Sequence, residues 1–366
     1  MGAALSALLV GCAFSNAMYE AGVDVDCRDA GSTSSRDWIV ARDGLSLTWV
    51  RAAGRRDQEL GAAWCETVGP PVVVPAPDTR FTALSVEHTL TVVTWNMNVG
   101  GGDLLSFVGS ELGLSCGGPT GPQRGADVQP FVLLLQEAYR RSEQLPVAAP
   151  SSAIPRAVDP ERRPGADLDI VELAELCGLS LVYVPSNRNG PDSEARPRED
   201  KGNAILSSLP LAAPVAIDLP FETSRRVAVA AELRVGGRAT IRVVSLHLDV
   251  TALPFRMLRT GNQNRARQAS GLIEALSLLD RRQPEVSGTV VGADLNTWAS
   301  KEGAAALMRR AFPQSPPWDG RPTRGVFPTD HVFFRSNMES PQVSDYRVLE
   351  SSYRSDHHAR VVLLRY

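Results

Sequence analysis

Lysine is almost missing from this chain: of 366 residues only Lys201 and Lys301 are lysine, so subtracting two from 38 basic residues leaves 36 arginines. A formal net charge of -3 and a pI near 6.0 argue against a protein that coats nucleic acid indiscriminately, because such binding needs a basic surface. Cysteine is scarce too, at five residues with no C-x-x-C pair, which excludes a zinc ribbon and a thioredoxin-like site. Gly100-Gly101-Gly102 is followed by no Gly-Lys-Ser/Thr, so a nucleotide-binding P-loop is excluded, and neither an H-E-x-x-H zinc-protease motif nor a G-x-S-x-G serine-hydrolase motif is expected. The longest uncharged apolar opening, Met1 to Ala17, falls short of the ~20 residues a membrane helix needs.

That opening instead suits the hydrophobic part of an export signal, and residues 1–21 read as an export signal or lipoprotein leader. Leu9-Val10-Gly11-Cys12 resembles a lipobox, which would lipidate Cys12, anchor the chain to a membrane and place it outside the cytoplasm. Removing Cys12 leaves Cys27, Cys65, Cys116 and Cys177, an even set for an oxidising compartment. Proximity favours Cys27 with Cys65 and Cys116 with Cys177. Residues 22–85, with an Asp43-Gly44 turn and a Pro-rich exit, read as an extension packed on a main domain over 86–366.

With 43% apolar residues the chain can fill a large core. Strand-like runs occur at 89–95, 131–135, 181–184, 204–207, 227–235, 239–246, 288–293, 331–334 and 359–364, with helical runs at 168–177, 265–279 and 302–311. Gly236-Gly237 joins two of the strands as a tight hairpin. The Pro-, Arg- and acid-rich stretches 146–165 and 186–201 read as exposed loops. This order predicts an α/β fold with two central sheets covered by helices, in a monomer.

Polar residues follow the apolar runs, so they should meet at one rim. Glu137, after FVLLLQ, is the best Mg²⁺ ligand, since hard cations take carboxylate oxygen; Asn96 after TVVTW can share the metal or hold that carboxylate. Asp294 can activate water and Asn296 can donate to a phosphate oxygen. His247 closes the strand IRVVSLHL, and Asp330 is placed to orient His357, leaving His331 and His358 to face away. Between Arg225 and Arg267 nine arginines face two acids, Glu232 and Asp249; Arg256, Arg259, Arg265 and Arg267 are candidate phosphate grips, with Arg226 and Gln268 as lesser ones. Phe255, Met257 and Leu258 hint at a membrane-contact loop, while no long basic, aromatic-interleaved surface marks DNA binding.

Seven motifs, TWNM, QEAY, GNAILSS, SLHLD, GADLNTW, TDHVFF and SDHHA, stand in the order of the endonuclease/exonuclease/phosphatase superfamily, which this chain resembles from about Val86 to Tyr366. The resemblance implies a four-layered α-β-β-α sandwich with two central mixed β-sheets. It also implies a hydrolase cleaving phosphodiester bonds with Mg²⁺, for which Mn²⁺ can substitute. Carried onto matching positions, it implies metal binding by Glu137 and Asn96 with Asp356 nearby, and phosphate contact by His247 and Asn296. Asp294 or His357 would be the base, His357 being oriented by Asp330, and Asn203 would lie near the site. The expected substrate is nuclease-like, a nucleic acid, with a phospholipid head group of sphingomyelinase or inositol-phosphate type as the alternative. A non-catalytic binder of the same fold is the third reading.

Overall fold

A computed structural model describes residues 19–21, 47–52, 67–75, 89–117, 122–124, 129–143, 145–147, 158–159, 168–192, 197–235, 239–250, 262–337 and 342–365. Several expectations lie outside them: the leader with Cys12, the Cys27–Cys65 pair, the Asp43-Gly44 and Gly236-Gly237 turns, most of 146–165, and residues 255–259 with Arg256 and Arg259.

Runs of Val, Leu and Ile form two mixed sheets. One has the spatial order Tyr19–Ala21, Thr48–Ala52, Leu211–Asp218, Val227–Val235, Ala239–His247, Val286–Asp294, Asp330–Ser336. The other runs Gln342–Val348, Arg360–Arg365, Thr89–Asn96, Phe131–Arg141, Glu199–Ser207, Ser180–Asn189, Val72–Val74, with Val158–Asp159 beside Ser180–Asn189. Each sheet contains a parallel pair, Thr89–Asn96 with Phe131–Arg141 and Ala239–His247 with Val286–Asp294, so these strand ends point the same way. The strands of residues 19–74 join the edges of both sheets, Thr48–Ala52 pairing with Leu211–Asp218 and Val72–Val74 with Ser180–Asn189.

The sheets pack face to face on a core that includes Val92, Leu134, Val229, Val243 and Val290. Helices Asn262–Arg282 and Gly303–Ala311 bury Leu272, Leu276 and Met308 on the outer face of the first sheet. Helices Leu104–Leu112 and Ile170–Cys177 cover the second, burying Phe107 and Leu173. The result is a four-layered α-β-β-α sandwich. Asp169 starts the Ile170–Cys177 helix through a capping box with Glu172, which satisfies its first free N–H groups. Cys116 and Cys177 form a disulfide.

The structure corrects three local expectations. The loop expected at 186–201 is shorter at both ends: strands reach Asn189 and restart at Glu199, with Asn187, Arg188 and Asp200 polar yet buried. Helix Leu104–Leu112 and strands Leu211–Asp218 and Gln342–Val348 were not anticipated; the last, QVSDYRV, has little apolar alternation to reveal it. The expectation that G-x-S-x-G is absent is wrong, since Gly113-Leu114-Ser115-Cys116-Gly117 spells it; here Gly113 caps a helix and Cys116 is disulfide-bonded, so no serine nucleophile turn forms.

Toward the rim the apolar core gives way to a polar layer. Gln136 Nε2 donates to Leu134 O at 2.9 Å and to Ser245 Oγ at 3.2 Å across the sheets, and Ser245 Oγ donates to Leu135 O at 2.7 Å. Buried donors satisfied this way set the sheets in one register, since leaving any unpaired is unfavourable. The sheets are close here: a Cβ on Gly292 would lie 2.7 Å from Leu134 Cβ and 2.8 Å from Thr94 Cβ. His331 faces away from the rim, stacked at 4.2 Å on Trp318, with Nε2 donating to Pro328 O at 2.8 Å. Burial, with the Arg360 charge behind it, pushes its pKa down to about 3. His358 also faces away, on Leu349 O.

Gly292→Ala is expected to destabilise the protein by about 1–3 kcal/mol through overpacking, read as a lower urea midpoint with an unchanged slope. For His331 the folded pKa is depressed, so between pH 6.5 and about 3 the unfolded chain binds the extra proton. Its contribution is therefore complete above pH 6.5 and fades as pH falls. Denaturation midpoints measured across that window should fall more gently with acid in His331→Gln than in the parent.

Candidate active site

Register brings the polar residues into line. In the first sheet His247 pairs with Asp294, and Asp294 with Asp330, so three side chains stand in one row. In the second, Asn96 pairs with Gln136 beside Glu137. The rows meet where Asn96 Nδ2 donates to Asp294 Oδ2 at 2.9 Å. Asn296 N donates to Asp294 Oδ1 at 2.9 Å, and this turn holds Asn296 at a φ of +49°. The 355–358 loop is pinned into the row by Trp95 Nε1 donating to His357 O and Ser355 Oγ donating to Asn96 O.

His357 Nδ1 donates to Asp330 Oδ2 at 2.7 Å, which leaves Nε2 3.9 Å from Asp294 Oδ2. Thr329 Oγ1 also donates to Asp330 Oδ2, at 3.0 Å. Burial works against a charged His357, but the Asp330 carboxylate outweighs it and the pKa rises to about 9. Asp330 responds in the opposite sense: burial would raise its pKa, and the imidazolium holds it low. Burial and the Asp330 charge together raise Asp294 to about 6. The two buried carboxylates thus differ in basicity because the imidazolium is hydrogen-bonded to Asp330 at 2.7 Å but stands 3.9 Å from Asp294.

His247 is different again. Burial and the neighbouring Arg226 push its pKa well below the usual value. Arg226 Nη1 lies 3.2 Å from Nδ1, and Nε2 stands 3.5 Å from Asp294 Oδ2. Asn296 Nδ2 lies 3.0 Å from the same nitrogen and donates to Leu248 O.

Glu137 does not end its strand, as the sequence suggested; the strand continues to Arg141. Two residues, Gln136 and Glu137, face the single Asn203, a β-bulge that puts Glu137 at φ +51°. A bulge re-aims a side chain without ending the ladder, and a strained non-glycine residue of this kind costs about 1–3 kcal/mol and recurs at functional sites. Oε2 of Glu137 is buried, and Asn96 stands on the neighbouring strand opposite Gln136. Carboxylate and amide oxygens are the donors a hard divalent cation takes, so Glu137 and Asn96 fit Mg²⁺ by chemistry. Ligand atoms of Asp294, Asp330 and His357 also lie within 4.8 Å of one another. There His357, an imidazolium below its pKa of about 9, offers no lone pair to a metal, which favours the Glu137 side.

The other named residues are dispersed around this centre. Asn203 Nδ2 donates to Val227 O at 2.7 Å and ties the sheets together. Asp356 stands at the rim, 39% exposed, with Oδ2 2.8 Å from Arg324. Arg265 does not reach the row: its guanidinium is 7% exposed and paired with Glu302 at 2.9 Å. Sequence reasoning missed Asp249, the acid of SLHLD, which accepts from Thr223 N at 2.9 Å and Ser224 Oγ at 3.0 Å and lies 3.7 Å from Arg226. Its position two after His247, in the motif SLHLD, was the available signal.

A family model described as endonuclease/exonuclease/phosphatase family matches residues 93–357. The fold is similar to the human Nocturnin catalytic domain with bound sulfate anion, at 16% identity over 76% of this chain and 94% of that one, with a TM-score of 0.48. It is similar to an endonuclease/exonuclease/phosphatase from Beutenbergia cavernae DSM 12333 at 19% identity, over 76% and 71%, TM-score 0.47. It is also similar to sphingomyelinase C from Streptomyces griseocarneus at 16% identity, over 76% and 99%, TM-score 0.41. No curated protein sequence matches the chain. With motifs, layers and a family match spanning most of its length in agreement, the chain belongs to the endonuclease/exonuclease/phosphatase family.

Proposed function

We propose that the chain is a Mg²⁺-dependent phosphodiesterase that cleaves its substrate by in-line attack of water. The observation that carries the reading is the opposed basicity of two side chains 3.9 Å apart, Asp294 near pKa 6 and His357 near 9. At neutral pH Asp294 is mostly carboxylate and can take a proton from water, whereas His357 is imidazolium and has none to accept. His357, held by Asp330, then donates toward a phosphoryl oxygen, and the Asn296 amide is poised to do the same. Neutral His247 stands beside Asp294 without adding charge. Glu137 and Asn96 would hold the metal, which when bound neutralises the phosphoryl oxygens.

A soluble diester such as bis(p-nitrophenyl) phosphate tests this. Turnover should rise through about pH 6 and fall through about pH 9, because the reaction needs deprotonated Asp294 and protonated His357. His357→Gln should lose the alkaline limb, and Asp294→Asn should lower kcat/KM by about 10²–10⁴-fold. EDTA and Glu137→Ala should each abolish turnover, with Mg²⁺ or Mn²⁺ restoring it only where Glu137 is intact. Hydrolysis that persists in EDTA, or none in the parent with metal, would overturn the proposal.

A further inference from the structure

Arg225 and Arg226 are neighbours in the loop that joins strand Leu211–Asp218 to strand Val227–Val235, and they part there. Arg225 pairs with Asp218 and donates to Pro185 O at 3.3 Å. Arg226, its side chain 15% exposed, enters the site and puts Nη1 3.2 Å from His247 Nδ1. The loop around it is held at several points. Leu219 N donates to Arg226 O at 3.0 Å and closes it. From helix Asn262–Arg282, Gln268 Nε2 donates to Pro220 O at 3.2 Å and Arg267 pairs with Glu222. Gln268 and Arg267, expected on phosphate, are thus committed to the loop.

Asp249 holds the same loop from within. Its buried carboxylate accepts from Thr223 N at 2.9 Å, from Thr223 Oγ1, and from Ser224 Oγ at 3.0 Å, while its own N donates to Gln268 Oε1 at 2.9 Å. All of these partners are neutral. A buried anion also needs a countercharge, and the cation facing it is Arg226, whose Nε lies 3.7 Å from Oδ1 and is itself buried without a hydrogen bond. One guanidinium is therefore set between Asp249 at Nε and His247 at Nη1. Because that group is planar and rigid, fixing one edge fixes the other. Without Asp249, a largely buried cation would press on the imidazole uncompensated, and rotation into water would relieve it.

We propose that Asp249 is a positioning residue for the reaction: by holding Arg226 against Nδ1 it fixes the His247 ring beside Asp294 and Asn296. This rests on the phosphodiesterase reading and adds to it a residue that touches no reacting atom.

The charges around His247 give the inference a sign. Arg226, Lys201 and His357 disfavour its imidazolium and Asp330 favours it, while Asp294 Oδ2 stands 3.5 Å from Nε2. Deleting the Asp249 charge with Arg226 still in place removes an anion, which makes His247 harder to protonate. Releasing Arg226 removes a cation in contact with the ring, which makes it easier.

A double-mutant cycle of Asp249→Asn and Arg226→Gln tests this on two readouts. In hydrolysis of bis(p-nitrophenyl) phosphate with Mg²⁺, each single variant should lower kcat/KM by about 10–100-fold, as is typical for residues that orient the groups of a site. The double variant should fall no further than Arg226→Gln. In NMR of the imidazoles in EDTA, His247 should take its proton at higher pH in Asp249→Asn than in the parent, and at no higher pH in the double variant than in Arg226→Gln. Losses that multiply in the double variant, an Asp249→Asn as active as the parent, or a His247 that protonates at lower pH would overturn the inference. Thermal melts report folding; if Asp249→Asn melts early, Asp249→Glu, which keeps the charge but displaces it, enters the same cycle under the same outcomes. A parent that hydrolyses no diester would instead strike the phosphodiesterase reading, while the NMR cycle would still decide this one.

Discussion

At Gly292 the two sheets approach so closely that no side chain fits between it and Leu134. Everything at the rim follows from that contact. Asp294 lies two residues further on, and the sheets meet beside it as a hydrogen bond from Asn96. Had the sheets stood apart by one more methyl layer, the Asn96 amide and the Asp294 carboxylate would face water separately. The Gln136–Ser245 bridge one step below keeps the spacing from being an accident of apolar packing, because its donors and acceptors are satisfied in one register only.

Close approach also excludes water, and exclusion of water is what separates the ionisable groups. Burial alone would make both carboxylates poor acids and both histidines neutral. Specific neighbours then break that uniformity: Asp330 charges His357, while Arg226 keeps His247 neutral. Asp294 lies between an anionic neighbour that weakens it as an acid and a cationic one that limits the effect. A base, an acid and an uncharged imidazole are thereby produced from ordinary Asp and His side chains within one row.

The strands carrying the site were legible because buried runs such as TVVTW, FVLLLQ and TVVGA stand out as uninterrupted apolar segments. Val227–Val235 has the ends read from its sequence, and most others differ by a residue or two. Less visible were elements stabilised by partners rather than by their own pattern. Gln342–Val348 is a strand because Arg360–Arg365 offers it an edge, and polar Ser186–Asn189 stays extended because Glu199–Lys201 pairs with it. The bulge at Glu137 was hidden for a similar reason, since nothing in QEAY says that the ladder resumes after one residue steps out.

By itself the sequence determined which chemical groups stand at strand ends: hard oxygens, two histidines with nearby acids, and arginines in place of lysines. That is composition and order, and apolar periodicity reports it locally. Tertiary structure alone decided protonation and allegiance. Asp330 meets His357 across a separation of 27 residues, Asn96 meets Asp294 across 198, and Arg265 turns to Glu302 instead of to the site. Such pairings depend on which strands lie adjacent and how closely two sheets pack, and pKa values follow from those distances and from the loss of water between them.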